Sequence, residues 1–64
     1  MEYTDTKNNI SNTFIKLLEQ KAIDQITVIE LAKESGVSRQ TFYYHFHDLT
    51  AVLEWLVHNR TQAI

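Results

Sequence analysis

The chain has 64 residues, of which 44% are hydrophobic and 22% charged, with no cysteine and a formal net charge of −2. This length allows one small domain, and the balance of apolar and charged residues is typical of a folded protein. The lack of thiols excludes disulfides and cysteine-ligated zinc. No apolar run approaches the roughly 20 residues of a membrane span, and the polar, acidic start is unlike a signal peptide. We therefore expect a cytoplasmic domain, away from any membrane, that is held together by packing and needs no cofactor or metal.

Apolar residues first recur at helical spacing in the N-terminal third of the chain. One stripe at i, i+4, i+7 and i+8 predicts a helix over about residues 6–21 with one buried face. Its members are Ile10, Phe14, Leu17 and Leu18. The pattern is lost over residues 22–26, which we interpret as a connector.

The second predicted helix, over about residues 28–35, has the clearest start signal. Thr27 followed three residues later by Glu30 is a capping-box pattern. The hydrophobic staple that accompanies such a box would be formed by Ile26 and Leu31. The helix is expected to end at Gly36, the only glycine of the chain, because glycine adopts a left-handed conformation without a steric cost from Cβ.

Two more caps predict two more helices. Ser38 is placed as the N-cap of a third helix over about residues 39–46, and Asp48 as the cap of a fourth over about residues 49–64. The apolar stripe of the fourth helix consists of Leu49, Val52, Leu53, Leu56 and Val57. Because this helix reaches the end of the chain without a stop signal, we expect a second domain to follow that is absent from this chain.

Two short helices joined by a tight glycine turn are the description of a helix-turn-helix, whose second helix enters the DNA major groove. Ala32 falls where the two helices would cross, and Leu31, Val37 and Phe42 would fill the space between them. The predicted fold is therefore all-α: a three-helix, homeodomain-like DNA-binding domain over residues 1–64, with the first part of a fourth, linking helix. The negative total charge is unusual for such a domain, but residues 36–47 contain one arginine, two histidines and no acid.

With Phe42 facing the core, the third helix turns a polar set of side chains outward. Arginine can pair with guanine or a phosphate, glutamine with adenine, threonine with a phosphate or a thymine methyl, and tyrosine offers a hydroxyl or a ring face. The residues concerned are Arg39, Gln40, Thr41, Tyr43 and Tyr44. Thr27, at the start of the second helix, would present a helix N-terminus to a phosphate.

Other interpretations of the same residues stay open. Tyr43 and Tyr44 could be packing aromatics, and His45 could complement the negative end of the third helix. His45 and His47 do not share a helix face, which argues against a metal pair. No nucleophile, metal site or phosphate loop is present, so we do not expect an enzyme.

The run Gly-Val-Ser-Arg-Gln-Thr-Phe-Tyr-Tyr-His-Phe at residues 36–46, preceded by Ile-Thr-Val-x-x-Leu-Ala at residues 26–32, resembles the N-terminal domain of TetR/AcrR-type regulators. The resemblance covers roughly residues 12–57. With Asp48 and Trp55, it is similar to the branch that includes dihydroxyacetone-kinase regulators. It implies a homodimeric repressor whose C-terminal domain, missing here, binds a small-molecule inducer and holds two such modules on a palindromic operator of double-stranded DNA.

The resemblance also implies roles for individual residues. The family's phosphate contacts correspond to Thr27, Tyr43 and His45, and its base contacts to Arg39, Gln40, Thr41 and Tyr44. The sequence departs from the pattern at the start of the fourth helix, where Leu49 replaces the usual phosphate-binding lysine and His47 is the nearest substitute. Ile29 likewise offers no polar group to a base. These departures keep a second hypothesis open: a protein-interaction module of the same fold with weak or no DNA binding.

Overall fold

The computed structural model describes the backbone of residues 3–62 and the side chains of residues 5–58. Within that range the chain forms helices and no strand, which confirms the predicted all-α class. The helices are α1 (Tyr3–Leu18), α2 (Val28–Ser35), α3 (Arg39–His45) and α4 (Leu49–Gln62), with a short 3-10 turn at Ile23–Gln25 inside the predicted connector. Residues 63 and 64, included in the predicted fourth helix, lie outside the described residues. No helix in residues 3–62 combines the length and apolar character that crossing a bilayer requires.

The first helix begins and ends about three residues earlier than predicted. After Leu18 the chain still turns tightly, since the N–H groups of Gln20 and Lys21 both donate to the Leu17 carbonyl at 3.0 Å. Such a tightened last turn satisfies helix-end carbonyls without continuing the α-helix. Residues 19–21 therefore keep helix-like hydrogen bonds but lie outside α1.

The three predicted caps are confirmed. In each, the side chain that precedes the helix accepts a hydrogen bond from a backbone N–H three residues later, which satisfies one unpaired donor of the first turn. The pairs are Thr27 Oγ1 with Glu30 N (3.1 Å), Ser38 Oγ with Thr41 N (3.1 Å) and Asp48 Oδ1 with Ala51 N (2.9 Å). At its other end α3 stops at His45, one residue before the predicted end, because Phe46 is extended (φ −136°, ψ 134°).

The capping box at α2 forms in one direction only. Thr27 caps the Glu30 N–H, but the Glu30 carboxylate does not return to Thr27. It accepts a 2.6 Å hydrogen bond from the Lys21 ammonium instead, across the connector. The second half of the predicted box was therefore wrong, because a cation from outside the helix outcompetes a backbone amide for a carboxylate.

The turn between α2 and α3 depends on Gly36, whose φ is +77°. The Gly36 N–H donates to the Lys33 carbonyl at 3.1 Å, and the Val37 N–H donates to the Ala32 carbonyl at 3.0 Å. These two bonds define a Schellman motif, the common way to end a helix at a left-handed glycine. Ser38 then starts α3 almost at once, so the two helices are joined by a very short corner.

The core lies where α1 packs on α2 and α4, and where α2 packs on α3. Its buried apolar residues are Ile10, Phe14, Leu17, Ile26, Leu31, Ala32, Phe42, Phe46 and Val52. The predicted stripe of α4 divides: Val52 is fully buried, whereas Leu53 is 37% and Val57 59% exposed. The stripe is wider than the surface that α1 covers, so its outer members line an open apolar groove with Ile15 instead of joining the core.

Candidate nucleic-acid interface

The two faces of α3 differ sharply in exposure. Phe42 is fully buried and anchors the helix to the core, while Arg39 and Gln40 are exposed. Tyr43 and Tyr44 are 54% and 76% exposed, so more than half of each residue is open to solvent. The outer face of α3 therefore presents an arginine, a glutamine and two tyrosines to the solvent.

Arg39 lies at the first position of α3, where its long side chain can reach beyond the helix. It forms no salt bridge with any carboxylate that the structure describes. The nearest acids along the chain are Glu34 and Asp48, on other elements. The guanidinium is therefore available for an external acceptor, either guanine or a phosphate.

Thr41 lies differently from the other outward residues, because it is half-buried. Its hydroxyl accepts a 3.0 Å hydrogen bond from the Ser38 hydroxyl, which itself accepts the Thr41 N–H. The Thr41 hydroxyl can still donate its own proton. This local network fixes the side chain at the start of α3, so any contact with DNA would come from a pre-positioned group.

The two tyrosines use their rings differently. Tyr43 packs edge-on against Phe42, with ring centroids 5.4 Å apart, so its base rests on the core while more than half of the side chain is exposed. Tyr44 packs edge-on against His45 at 5.1 Å and is the more exposed of the two. The packing interpretation thus applies in part to Tyr43, and leaves most of Tyr44 on the surface.

His45 is half-buried at the end of α3. Burial, and then the nearby ammonium of Lys7, lower the pKa of the His45 imidazole below its usual value. A lowered pKa keeps the ring neutral at pH 7, so His45 contributes no positive charge to the C-terminal end of α3. This argues against the interpretation that it complements the helix dipole. Contact with a phosphate would require a ring N–H donor.

The remaining predicted contacts lie at the edges of α3. Thr27 is exposed at the N-terminus of α2, and His47 is exposed in the bend before α4. Leu49 is half-buried and packs against the core, so the start of α4 presents no cation. Ile29 is 60% exposed and offers an aliphatic surface of the kind that contacts thymine methyl groups.

Sequence reasoning missed Lys7. Its ammonium lies 5.3 Å from the ring centroid of Phe46 and 5.8 Å from that of Trp55, beside the end of α3. The available signal was its spacing, since Lys7 falls three residues before Ile10 and seven before Phe14, on the buried stripe of α1. A lysine on such a stripe indicates a packed stem with a cation at its tip.

Together these features define a helix-turn-helix DNA-binding domain: two capped helices at a glycine corner, with a carboxylate-free outer helix that bears donors suited to base edges and phosphates. Residues 13–54 match the family model described as bacterial regulatory proteins, tetR family. The chain belongs to this family.

Curated relatives agree with this assignment. The chain is 43% identical over 53 residues to the transcriptional regulator EthR of Mycolicibacterium smegmatis, covering 83% of this chain and 24% of the relative. It is 43% identical over 49 residues to EthR of Mycobacterium tuberculosis, covering 77% of this chain and 23% of the relative. It is 32% identical over 54 residues to the dhaKLM operon transcriptional activator DhaS of Lactococcus lactis, covering 84% of this chain and 29% of the relative. The chain thus spans about a quarter of the length of these relatives. No solved structure matches it.

Proposed function

We propose that this chain is the operator-reading domain of a TetR-type transcriptional regulator, in which α3 enters the major groove and recognises a specific DNA sequence. The observation that carries the proposal is the composition of the exposed face of α3. Arg39, Gln40 and Tyr44 lie in solvent there, in a stretch from residue 36 to 47 that contains no carboxylate. That face can approach a polyanion although the whole chain carries a net charge of −2.

The proposed contacts fall into two classes. Base edges would be read by Arg39, Gln40, Thr41 and Tyr44, and phosphates bound by Thr27, Tyr43, His45 and His47. The phosphate contacts fix the register of the domain on the duplex, and the base contacts distinguish sequences. Exposure supports Arg39, Gln40 and Tyr44 most directly, and the half-buried Thr41 least.

The whole regulator is proposed to be a cytoplasmic homodimer on a palindromic operator, with its two α3 helices about 34–36 Å apart, one turn of DNA. A small-molecule inducer would bind outside this chain, in the larger part of the protein that the relatives' lengths imply. We propose that DNA binding represses transcription. Activation, which the name of the Lactococcus relative states for that protein, is the competing outcome.

The test is fluorescence anisotropy of the full-length protein with a duplex from the region upstream of its own gene and with a random duplex, each at two or more salt concentrations. Specific binding should weaken steeply with salt, with a log-log slope of about −0.9 for each phosphate contacted. Equal affinity for both duplexes would refute sequence-specific recognition. A response that is flat in salt would favour the protein-interaction module. A reporter driven by the upstream region then separates repression from activation.

A further inference from the structure

The side chain of Lys7 lies at the C-terminal end of α3, where it contacts residues of two other parts of the fold. It lies near the start of α1, and its ammonium faces the ring of Phe46, the residue that ends α3, and the ring of Trp55 in α4. The two rings pack against each other at 78°, with centroids 6.2 Å apart. Two aromatic rings within 6 Å of one ammonium hold it by cation–π attraction, and this limits the positions the flexible lysine side chain can take.

The ammonium also lies close to residues of the proposed interface. Its charge acts on the imidazole of His45, whose pKa it helps to lower. The His45 ring is in edge contact with Tyr44, the most exposed aromatic residue of α3. The cation is therefore close to His45, one of the proposed phosphate contacts, although it comes from a different helix.

Charge on this surface is scarce. Between residues 36 and 47 the only side chain that is always cationic is Arg39, at the opposite end of α3. His45 is neutral at pH 7, and Leu49, at the start of α4, packs against the core and brings no cation to this surface. Affinity for DNA depends on cations that displace counterions from phosphates. A second cation near the end of α3 would therefore raise the affinity by adding a phosphate contact.

We propose that Lys7 binds a DNA phosphate at the C-terminal end of α3 and supplies the cation that Leu49 does not. The inference rests on the proposed DNA-binding function. The Phe46 and Trp55 rings pre-position the ammonium, which reduces the conformational entropy lost when it meets the phosphate. A purely structural alternative is that the ammonium only offsets the negative carbonyl end of α3. That role would change folding stability and leave the salt dependence of DNA binding unaltered.

The test compares neutral variants at two lysines of α1 in the full-length protein. Lys7→Met keeps an unbranched apolar stem for the two rings but removes the charge. Lys16→Met removes a charge from an exposed position of the same helix. Lys7→Met should reduce the log-log salt slope by about 0.9, equally on the upstream and the random duplex, because one phosphate contact is lost. Lys16→Met should keep the parent slope, and Lys7→Arg should restore it.

A second measurement needs no variant. Amine-selective labelling of the parent protein, read by mass spectrometry, should show Lys7 protected by duplex DNA and Lys16 unprotected. This keeps the proposal testable even if Lys7→Met fails to fold. An unchanged slope in Lys7→Met, or equal labelling of Lys7 with and without DNA, would overturn the inference while the parent still binds DNA. A parent protein with no salt-sensitive binding would refute the proposed function, and the role of Lys7 with it.

Discussion

The side-chain amide of Asn9 donates a 2.7 Å hydrogen bond to the backbone carbonyl of Ser35, 26 residues along the chain. Ser35 is the last residue of α2, where carbonyls have no partner within the helix. The bond therefore ties α1 to the end of α2, beside the glycine corner. We expect Asn9→Ala to lower the free energy of unfolding by about 1 kcal/mol, measured by urea denaturation.

The matched control is Asn8→Ala. Asn8 is exposed on the same helix, so the substitution raises helix propensity equally without removing the bond to Ser35. The difference between the two variants isolates the contribution of the bond. Equal stability of both variants would contradict the assigned role of Asn9.

Gly36→Ala should destabilise the domain by roughly 1–2 kcal/mol, because a residue with a Cβ is strained at a positive φ. A Cβ at this position meets no atom within 4 Å, so the cost is conformational and not steric crowding. Gly36→Asn should cost less, because asparagine tolerates this conformation better. Denaturation curves of the two variants provide the test, and an equal loss in both would point to another cause.

Arg39→Ala should relax sequence specificity. If the exposed guanidinium pairs with a guanine, its removal should cost about 1–3 kcal/mol on the operator and much less on random DNA. Anisotropy titrations with both duplexes measure the ratio of affinities. An equal loss on the two duplexes would show that Arg39 contacts a phosphate instead.

Tyr43→Phe should show the opposite pattern. The ring that packs on Phe42 is kept, so the fold should be unchanged, and only the hydroxyl is lost. A hydroxyl that donates to a phosphate contributes about 1.5–3 kcal/mol, and we expect that loss on specific and random duplexes alike. Unaltered affinity would mean that Tyr43 serves packing alone.

His45 should make folding stability depend on pH. Its pKa in the folded state lies below the unfolded value, so the unfolded state binds more protons near pH 6.5 and below. The free energy of unfolding should therefore fall as the pH is lowered through that range. The groups near the ring include Lys7, whose charge opposes protonation, and Tyr44. In the His45→Gln variant, the free energy of unfolding should fall less between pH 7.5 and 5.5 than it does in the parent. Urea titrations at several pH values in this range measure the difference.

His47→Gln is the control for that experiment, since His47 is exposed in the bend before α4. The stability of His47→Gln should vary with pH as that of the parent does, and should therefore differ from that of His45→Gln. Identical profiles for the parent and His45→Gln would contradict the effect of burial on His45.

The sequence predicted the features that arise from neighbouring residues. Thr27, Ser38 and Asp48 each cap the helix that follows, and Gly36 takes the left-handed conformation, so the starts of α2, α3 and α4 and the end of α2 were correct. These signals act over three or four residues and need no tertiary contact. The start and end of α1 carried no such signal, and there the prediction was about three residues off.

Features set by tertiary contacts were harder to predict. Glu30 binds Lys21 instead of completing its own capping box, and Lys7 lies against rings about 40 and 50 residues away along the chain. The stripe of α4 suggested a buried face, but exposure of Val57 depends on how much of α4 is covered by α1. The outward side of α3 followed from helix periodicity, whereas the half-burial of Thr41 arises from its hydrogen bond with Ser38.

The corner between α2 and α3 has a mechanical consequence. Two backbone hydrogen bonds close it at Gly36 and Val37, and Ser38 caps the next helix immediately, so each residue of the joint takes part in a hydrogen bond. These bonds restrain the start of α3 relative to the end of α2. If α3 enters the major groove as proposed, a duplex whose groove does not match the arrangement of the two helices has to bend or change its groove width to fit. The domain would then select DNA by the ease of deforming it, including at base pairs that no side chain touches.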